Sequence, residues 1–117
     1  MSVDKRHSGL TLAPSKVEVH YQPLGVVGVV VPWNFPVYLA LGPALCALAA
    51  GNRVMVKMSE FTPHGNKVLK EAFEPLSEHI RFYEGDAKEA AAFTAQNFDY
   101  LIFTGSTHVG KLVARSA

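Results

Sequence analysis

The run Gly25 to Val31 reads Gly-Val-Val-Gly-Val-Val-Val and carries no polar residue. A strand with one wet face alternates polar and apolar positions; a strand without alternation is covered on both faces. Parallel sheets have this property because their crossover helices lie against the faces. The run therefore sets a core strand over Val26–Val31 inside an α/β sheet. After it stands a polar corner, Pro32-Trp33-Asn34-Phe35-Pro36, and then an apolar stretch from Val37 to Ala50. That stretch is apolar on all sides, which places it inside a larger body. Interrupted by Gly42-Pro43, it is too short and too broken to span a bilayer. Gly51-Asn52 ends the helix as a left-handed cap would, and Arg53–Lys57 forms a second covered strand. Strand, helix and strand make a βαβ unit. Its two polar clusters, Trp33-Asn34 and Lys57 to Glu60, each follow the C-terminal end of a strand, where open α/β sheets bind ligands.

The remaining pattern continues this alternation. Thr62-Pro63 starts a helix, with Thr62 as its N-cap. Val68, Leu69, Ala72, Phe73 and Leu76 recur at helical spacing, so one face packs on the sheet. Ile80–Tyr83 reads as a strand ending at Glu84-Gly85-Asp86. Asp86 caps a third helix running from Ala87 to about Ala95. Tyr100–Phe103 is a fourth parallel strand, and Thr104-Gly105-Ser106 turns the chain into a last helix. The fold class is α/β: a Rossmann-like open parallel sheet of about four core strands, with helices on both faces and right-handed crossovers. Ahead of it, residues 1 to 14 are polar and lack a period, which predicts a loose tail. Lys16 to Gln22 alternates, the mark of a strand with one wet face. The division expected is a tail and arm strand over residues 1–22 and a partial nucleotide-binding domain over residues 23–117.

Bulk properties exclude several functions. Apolar residues at 49% and charged residues at 18% describe a globular chain. A net charge of +1 supplies no field to recruit nucleic acid or an anionic membrane. One cysteine, Cys46, excludes an internal disulfide and a four-cysteine metal site. The first residues lack the apolar core of a signal peptide, so a reducing cytoplasm is expected. The five histidines show no ligand spacing; His7 and His20 fall in the tail and arm, and His108 in the last helix.

Three clusters carry chemistry. The side-chain amide of Asn34 offers two donors, and the proline-bracketed corner can hold them in a fixed direction. A fixed donor can stabilise a developing oxyanion; the alternative is a turn asparagine bonding its own backbone. Trp33 is either a half-buried aromatic or a wall of the crevice. Lys57 and Glu60 can grip a ribose, the carboxylate accepting from two hydroxyls, with Ser59 beside them. The alternative is a solvated pair at a strand end. Gly105-Ser-Thr-His-Val-Gly110-Lys111 is one residue from a P-loop, but Leu112 stands where a magnesium-binding hydroxyl belongs. What remains is a strand, a glycine turn and a helix N-terminus, which binds a diphosphate through backbone N–H groups. Cys46 lies in the apolar helix and is expected to be buried and inert.

Pro32-Trp-Asn-Phe-Pro36, the helix after it, Ala50-Gly-Asn52, Val54-Met-Val-Lys57 and Ser59-Glu60 together resemble the cofactor-binding domain of the aldehyde dehydrogenase superfamily. Phe103-Thr-Gly-Ser-Thr107 and Gly110-Lys111 supply its second signature. The wording around both is most similar to the coniferyl-aldehyde and fatty-aldehyde branch. The resemblance covers roughly Pro14 to the last residue. It implies an NAD-dependent enzyme, with NADP possible, oxidising a small-molecule aldehyde through a thiohemiacetal. It implies that Asn34 holds the oxygen of that intermediate. Pro32 and Trp33 would line the cofactor cleft, Lys57 and Glu60 bind the adenosine ribose, and Ser59 lie beside them. Gly85 would lie beneath the adenine and Val109 against it, Thr104 near the same cleft, and Gly105 and Ser106 beside the pyrophosphate. It implies that Lys16 to Gln22 belongs to an oligomerisation arm, hence a homo-oligomer. The family's nucleophilic cysteine and general-base glutamate would both come after Ala117, so the chain reads as a fragment, inactive alone. A non-catalytic nucleotide-binding or oligomerising module is the alternative.

Overall fold

The structure, a computed structural model, describes residues 2–6 and 9–117. The chain begins with a two-stranded antiparallel hairpin, β1 (Ser2–Arg6) and β2 (Val17–Tyr21), in register from Ser2 opposite Tyr21 to Arg6 opposite Val17. The loose tail expected ahead of Pro14 is thus in part a strand. Ser-Val-Asp-Lys-Arg has too few apolar residues to announce itself, and its order comes from ladder bonds with β2 rather than from burial. His7 lies outside the described residues. Leu10–Leu12 forms a single helical turn between the two strands.

A four-stranded parallel sheet follows. Its strands are β3 (Val26–Val30), β4 (Arg53–Lys57), β5 (Ile80–Tyr83) and β6 (Tyr100–Phe103). They are ordered β5-β4-β3-β6, with Val30 opposite both Lys57 and Phe103. The connecting helices are α1 (Pro36–Ala49), α2 (Pro63–Phe73), α3 (Ala87–Thr94) and α4 (Thr107–Ser116). The chain steps outward from β3 to β5 and then returns to place β6 on the other side of β3. With right-handed crossovers this reversal puts α1 and α2 on one face and α3 and α4 on the other. The core fills the α1–α2 face: Val27, Val29, Val54, Val56, Met58 and Ile80 against Ala40, Ala44 and Leu69.

Local chemistry explains the joints. Pro36 opens α1 in its first turn, and Phe35 before it sits in the left-handed region at φ 59 and ψ 45. The helix runs unbroken through Pro43, although Gly42-Pro43 predicts an interruption. Gly42 has no Cβ to crowd the proline ring, which removes part of the clash that keeps pre-proline residues out of helical geometry. Gly51, at φ 89, closes α1: its N–H donates to Leu48 O at 2.8 Å and that of Asn52 to Ala47 O at 3.0 Å, the double bond of a Schellman cap. Asn52 does more than end the helix. Its Oδ1 accepts from the Leu24 and Gly25 N–H groups, and its Nδ2 donates to Ala47 O. It clips the entry of β3 to the end of α1.

Asp86 caps α3 as expected, accepting from Lys88 N while Glu89 accepts from Asp86 N. Thr62 does not cap α2 with its side chain; its one hydroxyl hydrogen goes instead to Asn66 Oδ1 at 2.9 Å, with Ser59 O at 3.2 Å the alternative acceptor. The outer side of α1 is uncovered: Val37, Tyr38 and Leu45 are exposed. Cys46, expected to be buried, is exposed with them. No helix among the described residues is long and apolar enough to cross a membrane.

Candidate functional site

The strand order fixes where a crevice must open. β3 leads into α1 on one face, and its neighbour β6 leads into α4 on the other. Their C-terminal ends part, which makes this the switch point of the sheet. A cavity of about 260 Å³ lies there. Of the residues the sequence points to, Pro32, Trp33, Lys57, Ser59, Glu60, Thr104, Gly105, Ser106 and Val109 all line it. Asn34 and Gly85 do not. Trp33 is exposed at 64%, so it is a wall of the crevice and not a core aromatic. Asn34 is exposed beside it, and among the described residues its amide makes no side-chain hydrogen bond. The self-bonded turn asparagine is therefore not formed, and both donors stay free.

The cavity opens into an apolar trough of about 550 Å³ between α3 and α4. The two share Val30, Glu60, Ala90 and Val109. Alanines on α3 (Ala87, Ala91) face Leu112 and Val113 on α4. At its far end the Thr94 and Ser116 hydroxyls hydrogen-bond at 2.8 Å. A third hollow, against β5 beside Phe73 and Phe82, contains none of the sequence-predicted residues.

Lys57 is the least expected side chain. It closes β4 and is only 4% exposed, so it is not half of a solvated pair with Glu60. Its Nζ donates to Met58 O at 2.7 Å and to Gly85 O at 2.8 Å, leaving one N–H for a ligand. Burial pushes its pKa below the ordinary lysine value, against the pull of Glu60 and, more weakly, Glu89, Asp86 and Glu84. Gly85 enters the site through its carbonyl, as the acceptor that holds this ammonium. It sits at φ 151, and a Cβ there would stand 2.6 Å from the Glu89 side chain. Glu60 is exposed at the rim.

Ser106 caps α4, accepting from Val109 N at 3.3 Å. Gly105 is a close approach: a Cβ would stand 2.5 Å from the Phe103 ring. Gly105, Ser106 and Val109 at the helix start line the cleft, and the first N–H groups of a helix have no backbone partner within it. One ammonium hydrogen, one rim carboxylate and one helix N-terminus converge on a mostly apolar cavity.

Sequence reasoning missed Asn66. It is fully buried, and its Nδ2 donates to Ser59 O at 2.8 Å and to Glu84 Oε2 at 3.2 Å. Glu84 in turn pairs with Lys70 at 2.9 Å. The one available signal is spacing: Asn66 stands three and seven residues before Leu69 and Phe73, a polar residue on the apolar stripe of α2.

A parallel sheet in this order, with a crevice at its switch point, is the framework of a doubly wound, Rossmann-like α/β fold. Comparison with known proteins narrows the class. The model of the aldehyde dehydrogenase family matches residues 3–117. A probable coniferyl aldehyde dehydrogenase of Pseudomonas aeruginosa is 47% identical over 119 residues, covering 100% of this chain and 25% of its own. The coniferyl aldehyde dehydrogenase of a Pseudomonas species is 44% identical over 117 residues, covering 98% and 24%. A solved structure, the substrate-bound state of Staphylococcus aureus AldH, superposes with a TM-score of 0.92 at 34% identity, over 98% of this chain and 26% of that one. The chain belongs to the aldehyde dehydrogenase family. It spans about a quarter of the length of the curated relatives it matches.

Proposed function

We propose that the cleft binds the adenosine and diphosphate portion of NAD, in an enzyme that oxidises an aldehyde to a carboxylic acid. The observation that carries this is the convergence of Lys57, Glu60 and the Ser106-capped start of α4 on one cavity at the switch point. The residues fit such a ligand. The free Lys57 N–H and the Glu60 carboxylate suit the two hydroxyls of a ribose. The first N–H groups of α4 suit a diphosphate, and the trough against Val109 suits a flat apolar base. An acidic rim repels a 2′-phosphate, so NAD is proposed over NADP. When bound, NAD supplies the acceptor for the aldehyde's hydride.

Asn34 is proposed as the donor to the oxygen of the thiohemiacetal that forms when a thiolate adds to the aldehyde carbon. Its free amide stabilises charge as it develops there. Cys46, the chain's one cysteine, does not line the cleft. These 117 residues taken by themselves are therefore proposed to bind cofactor without oxidising aldehyde. The coniferyl aldehyde named for the Pseudomonas relatives points to an aromatic aldehyde as the substrate class. A homo-oligomer in a reducing cytoplasm completes the proposal.

Titration calorimetry of the wild type and Glu60→Ala with NAD and NADP tests the cofactor reading. Glu60→Ala should weaken NAD more than NADP, because it removes an acceptor and a repulsion together. Equal weakening, or no binding of either by the wild type at millimolar concentration, counts against the assignment.

A further inference from the structure

Two loops border the cleft on the β4–β5 side. One, residues 58–62, carries Ser59 and Glu60; the other, residues 84–86, carries the carbonyl that holds Lys57. They belong to different βα connections, and strand pairing ends below them at Lys57 and Tyr83. Above that level the two are joined by side chains. Asn66, with no exposed surface, spends every polar atom on the junction: Oδ1 accepts from Thr62, and Nδ2 donates to Ser59 O in the first loop and to Glu84 Oε2 in the second. Lys57 makes the second tie through Gly85 O. Lys70 holds the far oxygen of Glu84, and the hydrogen bonds from Lys70 and Asn66 keep that carboxyl below the usual glutamate range, so it is ionised at neutral pH.

We infer that Asn66 and Glu84 are positioning residues that clamp these two loops into one unit, so that Glu60 and Lys57 meet a ligand at a fixed separation. The inference rests on the proposed nucleotide reading for its ligand, but the clamp itself can be tested without one. A buried amide shared between two loops fixes both only while both partners are present. Removal of Glu84 leaves one Nδ2 hydrogen unpaired in a buried site, an unfavourable state that the loops relieve by moving apart. Glu84 is the better target, because its side chain is 45% exposed and its loss leaves the core intact.

The experiment compares the wild type, Glu84→Ala and Glu84→Gln by backbone NMR relaxation and by titration with ADP-ribose. Glutamine keeps an oxygen for Asn66 and serves as the rescue. In Glu84→Ala the order parameters of residues 59–62 should fall from about 0.85 to below about 0.6, together with those of residues 84–86. Those of β3 and β4 should stay at the wild-type level. ADP-ribose should bind roughly tenfold more weakly, the scale of one hydrogen bond to a charged group. Glu84→Gln should restore both readings. Loosening confined to residues 84–86 would overturn the inference, as would alanine binding ADP-ribose like the wild type, or glutamine behaving like alanine. If the wild type binds no ADP-ribose, the nucleotide reading falls, and the relaxation data still decide whether the loops are clamped.

Discussion

Gly85 joins backbone geometry to the site in a single residue. Its φ of 151 lies where side chains are rarely found, and the space for a Cβ is already filled by Glu89. Gly85→Ala should therefore cost about 1–3 kcal/mol of stability. It should also weaken cofactor binding, because the strained loop takes with it the carbonyl that holds Lys57. Urea unfolding and calorimetry on the same preparation check this; a loss of stability with unchanged affinity would separate Gly85 from the site. Glu84 gives a test in pH. Lys70 first and Asn66 second hold its carboxyl below the ordinary glutamate value of 4.5. Between the two values the unfolded chain binds more protons, so the contribution is complete above the ordinary value and is lost as pH falls through the folded one. The stability difference between wild type and Glu84→Gln should accordingly shrink on acidification below that value, read as urea midpoints across the acid range. At this scale the sequence is legible where a residue acts through its own neighbours. Asp86 caps the helix it precedes, and Gly51 closes the one before it. Asn66 is not legible, because its partner Glu84 lies 18 positions away. The burial of Lys57 is hidden too, since both acceptors of its ammonium are carbonyls and carbonyls leave no mark in a sequence.

The elements follow from pattern to the extent that burial created the pattern. β3 and β4 match the apolar runs because they are the two inner strands of one sheet, where unalternated valine has few other places to go; β5 and β6, at its edges, follow from the alternation of strand and helix. β1 escapes for the opposite reason: it is polar, and pairing alone orders it. For α1 the sequence and the structure differ over its cysteine rather than over its secondary structure. An all-apolar helix belongs inside a larger body, and in this chain its outer side is uncovered: Val37, Tyr38 and Leu45 are exposed while Ala40 and Ala44 face the sheet. Cys46 is exposed with them. A maleimide should consequently modify Cys46 in the folded 117-residue chain, diluted until it is monomeric, at a rate within about tenfold of that in urea, since access and not packing limits it. Mass spectrometry after timed quenching measures this. Protection of more than a hundredfold in the monomer would show that the outer side of α1 is covered by a different packing of the chain.

The whole molecule is extended for its length. Its radius of gyration is 17.8 Å and its principal extents are 58 × 34 × 23 Å, whereas a compact chain of this size has a radius of about 13 Å. The excess comes from the hairpin, whose strands pair with each other and not with the four-stranded sheet. Val3, Val19 and Tyr21 on the hairpin are exposed, as are Val37, Tyr38 and Leu45 on α1. β1 occupies one edge of β2; the second edge has no strand partner among the described residues. A projecting hairpin with a free edge is a template for pairing with another chain, and a helix with an uncovered apolar side adds surface that association would remove from water. The sequence points to part of this, since alternation along Lys16 to Gln22 gives the strand an apolar side that needs a partner, whereas the hairpin's standing apart from the main sheet leaves no mark in it. The 117-residue chain should therefore be a dimer or larger at micromolar concentration. Substituting Val19 and Tyr21 with lysine should shift it toward monomer while the α/β body stays folded, because the hairpin contributes nothing to the main sheet. Size-exclusion chromatography with light scattering, paired with circular dichroism, reads both outcomes. A monodisperse wild-type monomer would mean that the exposed faces of α1 and the hairpin are tolerated in water and that assembly does not run through them.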